Sequence, residues 1–485
     1  MPRIKKLYIL LLLVLSTSVS LYSQPGQPDN SATVTLQQRI KYETNPDITP
    51  FQIRKIYIKG NQKTKEKLIL RELPFKTGDQ YLLSELVKRF EDARRQLMNT
   101  VLFNEVIVAL KSIEGYDVDI LVEVKERWYL FPVPILKNVD RNLNQWLIEN
   151  NAKLNRVNYG IKLLYNNATG NNDKLNIWLI NGYTKQLSAS YDRLYFDKKM
   201  KWGLNVGLGM GKNREVNYNT LNNKQLFFKD TNKYVRSFFK SYAELTYRRA
   251  IKTRHRFGIG YTVERVNDTI VALNSSYFKN GRNKISYPEF YYNMSYFDVD
   301  YIPYPLTGYL AEVSFIKKGV NNIINLWQLS VKGGANWKLA DKTYLGTRLS
   351  GTIKLPFHQP YFNLRLLGYN DFFMQGYEYY VVDGVAGGYL KTTVTRELAS
   401  FYVHKKRKND EIPYRIPFHI YARAFANAGY FHSPEPGSSG LNNKMLYSGG
   451  VGIDILTHYD FTLRLEWSFN QLGQNGLFLH KKSNY

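Results

Sequence analysis

From about Trp128 onward the chain alternates apolar and polar residues with period two, and that pattern leaves few folds open. Phe461, Leu463, Leu465, Trp467 and Phe469 are separated by Thr462, Arg464, Glu466 and Ser468. Trp202, Leu204, Val206, Leu208 and Met210 are separated by Gly203, Asn205, Gly207 and Gly209. Successive side chains of a strand point to opposite faces, so each run presents one apolar and one polar face. A soluble sandwich alternates too, burying its apolar face against a second sheet. Here charges such as Arg348, Lys354, Arg423 and Glu466 sit deep within strands on the polar face, as a wet lumen requires. The connections also alternate. Residues 197–199, 250–252 and 341–342 read as tight turns, and residues 213–232, 269–288, 356–387 and 431–443 as long loops. Short turns on one side and long loops on the other characterise outer-membrane barrels. About sixteen candidate strands can be counted, the even number such barrels require.

The composition agrees. Aromatic residues make up 15% of the 485 residues, with 39 Tyr, which suits the ring girdles of such a barrel. The formal charge of +27 is spread along strands and turns, with no basic helix or zinc pattern. It therefore points to anionic lipid headgroups and not to nucleic acid. Cysteine is absent, which excludes disulfides and thiolate metal sites. The seven His lack metal-ligand spacing, no nucleophile elbow occurs, and no phosphate-cradling loop precedes a helix. The expectation is a protein that is not an enzyme and holds no metal and no cofactor.

Residues 1–23 read as a signal peptide: Arg3, Lys5 and Lys6 precede an apolar core too short to span a bilayer. Residues 24–50 are polar and read as a flexible linker. Residues 51–127 give the order strand–helix–helix–strand–strand. Ile53, Ile56 and Ile58 mark the first strand, and Thr64 is the expected cap of the first helix. Leu86, Phe90, Ala93 and Leu97 recur at helical spacing, and Val118, Ile120, Val122 and Val124 alternate in the last strand. Residues 128–485 are the expected barrel.

Within the loop at 356–387 lies Met374-Gln375-Gly376-Tyr377, flanked by Phe373, Tyr379 and Tyr380. A surface loop has no local need for so many rings, so the loop is expected to fold into the lumen. The first barrel strand contains Pro132 and Pro134, each of which removes a backbone donor. The last strand, around Gly476 and Phe478, has few apolar positions and ends in His480-Lys481-Lys482. The seam between first and last strands is therefore expected to be the weakest in the sheet. A seam that opens is a lateral gate, able to template an incoming strand.

Gly60-Asn61, Gly78, Leu102-Phe103 and Glu126 stand in the order found in the polypeptide-transport-associated (POTRA) domain, which residues 51–127 resemble. With the barrel and the sixth long loop, nearly the whole mature chain resembles the outer-membrane assembly-factor superfamily (the BamA/TamA-like bacterial surface antigen family). The fold implied is mainly β: a 16-stranded transmembrane antiparallel barrel preceded by one small α+β POTRA domain. The superfamily's loop motif usually has Arg where this chain has Gln375, and an Asp-x-Gly where this chain has Asn427-Ala428-Gly429. Losing both charges together avoids a buried unpaired ion and leaves an amide–amide hydrogen bond as the expected contact. Arg423, Asp454 and Glu466 are the other expected wall partners of the loop.

The resemblance implies an outer-membrane location for the barrel and a periplasmic one for the POTRA domain. It implies insertion or translocation of unfolded outer-membrane or secreted clients, with the lipid bilayer, periplasmic chaperones or lipoproteins as further partners. A dedicated two-partner-type secretion transporter, or a passive channel or structural surface barrel without insertase activity, is the alternative.

Overall fold

The computed structural model of the protein describes residues 49–138, 157–230, 232–321, 323–369, 372–405 and 414–482, together with Leu147 and Asn151. The expected signal peptide and nearly all of the expected linker lie outside the described residues.

The first domain runs β1 (Phe51–Lys59), α1 (Glu66–Glu72), β2 (Gln80–Tyr81), α2 (Leu83–Asn99), β3 (Phe103–Glu114) and β4 (Asp117–Glu126). Its sheet has the order β2-β1-β4-β3, with β1 and β4 parallel. A parallel pair needs a crossover, and the two helices supply it. Leu68 and Ile69 of α1 and Leu86, Ala93 and Leu97 of α2 are buried. They close over Ile53, Val118, Ile120 and Val122 of the sheet. Thr64 does not cap α1, whose N-cap is Lys65 with no side-chain bond. The Thr64 hydroxyl is instead buried between Tyr129 OH at 3.1 Å and Asn167 Nδ2 at 2.9 Å, so it serves the joint to the barrel.

Sixteen further strands form one sheet. The first five are β5 (Leu130–Asn138), β6 (Val157–Asn166), β7 (Lys174–Gly182), β8 (Thr184–Tyr195) and β9 (Trp202–Asn213). A hairpin of β10 (Glu215–Leu221) and β11 (Lys224–Lys229) stands in the next loop. The sheet continues through β12 (Arg236–Tyr247), β13 (Thr253–Val266), β14 (Lys284–Val299), β15 (Gly308–Lys318), β16 (Leu326–Ala340) and β17 (Thr343–Leu355). The following loop holds a short pair, β18 (Arg365–Leu367) and β19 (Val382–Asp383). The last five sheet strands are β20 (Ala386–Lys405), β21 (Tyr414–His432), β22 (Met445–Thr457), β23 (Thr462–Asn470) and β24 (Asn475–Lys482).

Each strand of this sheet pairs antiparallel with its predecessor, as in an up-and-down barrel. Val206, Leu208 and Met210, and likewise Leu465, Trp467 and Phe469, lie exposed on the outer face. Exposed apolar rows of that extent have no place in water and form the lipid-facing belt. Inside, glycines make room for rings. A Cβ on Gly207 would come 2.4 Å from the Tyr242 ring, and one on Gly258 would come 2.1 Å from that of Tyr291.

The expected alternation of loop lengths is not uniform. Tyr183 alone joins β7 to β8 on the long-loop side, while residues 300–307 make a longer connection on the side of the first domain. Among the described residues the sheet's two ends, β5 and β24, are not hydrogen-bonded to each other.

Candidate functional site: the loop on the lumen wall and the unpaired seam

The connection from β17 to β20 turns into the barrel. Its base is stapled by Lys354, whose Nζ donates to the carbonyls of Asn363 at 2.8 Å, Arg365 at 2.7 Å and Gly384 at 3.3 Å. Met374 is 1% exposed, Gln375 4% and Tyr377 1%, so the motif lies against the inner wall and not above the membrane. Gly376 carries a φ of +87°, and a Cβ there would sit 2.8 Å from that of Ser448 and 3.0 Å from the Phe469 carbonyl. Only glycine combines that backbone with that approach. Asn470 Nδ2 donates to the Gly376 carbonyl at 2.6 Å, and Tyr377 OH donates to the Tyr447 carbonyl at 3.1 Å. Gly429 serves the same contact from the wall, since a Cβ on it would meet Met374 Sδ at 3.3 Å.

Gln375 Nε2 approaches Glu466 Oε1 at 3.5 Å. The amide–amide bond expected with Asn427 does not form. Asn427 lies directly across the register from Ser448 and donates to its Oγ at 3.0 Å. The wall keeps its acids and neutralises them from its own strands. Arg423 Nη1 donates to Glu466 Oε1 at 2.9 Å and to Asp454 Oδ1 at 3.4 Å. Arg464 donates to Asp454 through Nε at 2.9 Å and Nη2 at 2.8 Å. Tyr304 OH completes the shell of Asp454 at 2.9 Å. Arg464, Tyr304 and Ser448 were not singled out from sequence. Arg464 could have been, because its alternation places it beside Glu466 on the polar face.

The loop also reaches the last strand. The rings of Tyr379 and Phe478 lie 5.5 Å apart, and Phe373 stacks on His480 at 5.6 Å. Phe478 is buried facing inward, while Leu477 and Leu479 face out at 53% and 40% exposure. The last strand is thus more apolar than its short, basic end implied; the side chains of Lys481 and Lys482 lie outside the described residues. Gly476 adjoins Phe478, whose ring a Cβ would meet at 2.9 Å.

At the other end, β5 pairs with β6 without interruption from Leu130↔Tyr165 to Asn138↔Val157. Residues two apart direct their N–H groups to the same edge of a strand. An unbroken ladder with β6 therefore requires that the missing donors of Pro132 and Pro134 lie on the opposite edge, the seam.

The first domain is fastened to the turns on its side of the barrel. Glu72 of α1 pairs with both Nη atoms of Arg248, and Arg71 donates to the Met200 carbonyl at 3.0 Å. Asn99 of α2 donates to the Val299 carbonyl at 3.2 Å and accepts from Ile302 N at 2.8 Å. Arg127, just past β4, is buried against Asp460 at 2.8 Å, in the turn between β22 and β23. Burial pushes the Glu72 carboxyl up, but the guanidiniums of Arg248 and Arg71 outweigh it and hold the group at about 2.

Residues 51–127 match the POTRA family, "Surface antigen variable number repeat". A stretch of 77 residues is 38% identical to the outer membrane protein assembly factor BamA of Neorickettsia risticii (strain Illinois), covering 16% of this chain and 10% of that protein. The chain therefore spans about a tenth of that relative's length. CdiB from Escherichia coli is similar in structure over 89% of this chain and 75% of its own, with a TM-score of 0.53 at 10% identity. BamA from Haemophilus ducreyi lacking POTRA domains 1–3 aligns over 89% of this chain and 83% of its own, with a TM-score of 0.48 at 14% identity. Residues 51–127 are thus a POTRA domain of the surface antigen type, and they precede a sixteen-stranded antiparallel sheet whose fold is similar to that of CdiB.

Proposed function

We infer that this protein, acting without catalysis of covalent chemistry, inserts or translocates other proteins at the outer membrane, with an unfolded outer-membrane or secreted polypeptide as its client. The observation that carries the reading is the unpaired edge at β5 and β24. A bare strand edge is a template for another chain, and folded proteins normally cover it. Here the edge faces lipid on one side and the anchored loop on the other, so a strand added to it would begin a new sheet in the bilayer. The POTRA domain offers a second edge along β3, the outer strand of its sheet, where an extended client can add before it reaches the barrel. Periplasmic chaperones or lipoproteins would deliver that client.

The test is a cysteine pair across the seam, at Ile135 and Phe478 or the nearest facing positions. The chain has no cysteine of its own, so the crosslink is unambiguous. The locked protein should lose insertion or secretion while keeping its fold, and reduction should restore activity. Full activity with the seam locked excludes lateral opening. Depletion followed by outer-membrane proteomics separates the finer readings. Loss of many outer-membrane proteins indicates a general insertase, loss of one secreted protein a dedicated transporter, and no loss a passive channel or structural barrel.

A further inference from the structure

Away from the loop-bearing wall, the lumen beside β6 to β15 holds two adjoining cavities of about 600 Å³ and 670 Å³ that share Lys174, Asp192 and Tyr242. Lys162, Lys174, Arg193, Lys240, Arg254 and Arg256 face them. Asp192, Glu244 and Glu312 share the walls, so six cations oppose three anions. Arg248 and Arg236 line the same space but are neutralised by Glu72 and Glu264. Among the described residues none of the six is in an ion pair. The opposite wall differs, since Arg423 and Arg464 are both committed to Asp454 and Glu466.

A second observation singles out the periplasmic end of this space. In β8 the register shifts between Tyr191 and Leu194, so Asp192 and Arg193 together oppose Asn205. Neighbours along a regular strand point to opposite faces, and one of these two would have faced lipid. The bulge turns both into the cavity. It holds Arg193 at a φ of +63°, a backbone that a bulky residue seldom adopts, with its N–H bonded to Asn205 Oδ1 at 2.6 Å. Strain of this kind persists only where the surroundings enforce it, and here it delivers a guanidinium to the vestibule just inside the POTRA joint.

We propose that this vestibule binds the carboxylates of an acidic, extended polypeptide segment, gripped by Lys174, Arg193, Arg254 and Arg256. The proposal rests on the translocation reading and adds a preference for clients that carry acidic stretches. A polypeptide fits better than a lipid because the site opens on the aqueous lumen. The rings of Tyr195, Tyr242 and Tyr291 between the cations offer hydrogen bonds and flat surfaces to a chain.

The test uses the full chain purified in detergent micelles and two short fluorescent peptides, one alternating Glu with Ser and one alternating Lys with Ser. Anisotropy should show the acidic peptide binding roughly tenfold or more tightly, with the affinity falling as salt rises. Arg254→Gln combined with Arg256→Gln should weaken it by roughly tenfold. Arg193→Gly, which the left-handed backbone accommodates, should weaken it as well. Heat-modifiable mobility checks that each variant is a folded barrel. Equal binding of the two peptides, or variants that bind as the parent does, overturns the proposal. So does displacement of the acidic peptide by phosphatidylglycerol that loses its hold in the same variants, which would make lipid the ligand. Peptide binding is read apart from transport. Binding without any client lost on depletion removes the translocation reading and keeps the site, and client loss without binding does the reverse.

Discussion

Gln375 and Asn427 each leave their own amide oxygen without a partner in a buried setting, so both positions are sensitive to charge. Gln375→Glu places a second carboxylate about 3.5 Å from Glu466, whose charge is already shared with Arg423. It should destabilise the seated loop by roughly 3 kcal/mol, read as protease cleavage near Tyr377 in intact cells. Gly376→Ala should act through sterics alone, with a penalty of roughly 1–3 kcal/mol from the positive φ and the approach to Ser448. Its readout is a lowered transition temperature with no dependence on pH. The motif and the inward course of its loop are legible in the ring content and in the glycine. The partners are not, because an alternating strand says which face a residue takes but not which neighbour lies across the ladder. Asn427 meets Ser448 by register, and register is set by turn geometry far from either residue.

Among elements, β5 carries the seam's defect. Pro132→Ala with Pro134→Ala would restore two donors to its free edge. If the edge then pairs with β24, the barrel should gain roughly 1 kcal/mol per new hydrogen bond and lose insertion or secretion activity. Thermal melting followed by infrared amide absorption checks the first effect, and a client-processing assay the second. The strands are readable because period two is enforced at every residue by lipid outside and water inside. The short structures in the loops are less so: the β10–β11 hairpin and the β18–β19 pair are held by contacts between loops. Asn223, for example, donates to the Val381 carbonyl at 3.1 Å and accepts from the N–H of Gly440 at 2.9 Å. Thr64 teaches the same lesson, since a good N-cap residue was drawn instead into a bond with the next domain.

For the whole molecule, the POTRA joint spans turns from both flanks of the seam, with Asn167 after β6 on one side and Asp460 before β23 on the other. Its stability should depend on acid. Glu72 is held at about 2 against a usual 4.5, so its contribution, roughly 3 kcal/mol, is complete above pH 4.5 and vanishes as pH falls through 2. Glu72→Gln should abolish that dependence and loosen the joint at neutral pH. Hydrogen exchange at α1 and at the turn around Arg248, followed across the acid range, measures both. The two-domain plan could be read from composition and order alone, but the joint could not, because Glu72 and Arg248 are ordinary surface residues until the domains meet. The prolines of β5 have one more consequence. An arriving strand that hydrogen-bonds to β24 meets donors and acceptors in unbroken alternation, whereas one that approaches β5 finds acceptors with two donors gone. If the seam takes up a client as proposed, it is directional, a full template on one lip and a broken one on the other. A sheet grown from it would be held firmly at β24 and released first from β5.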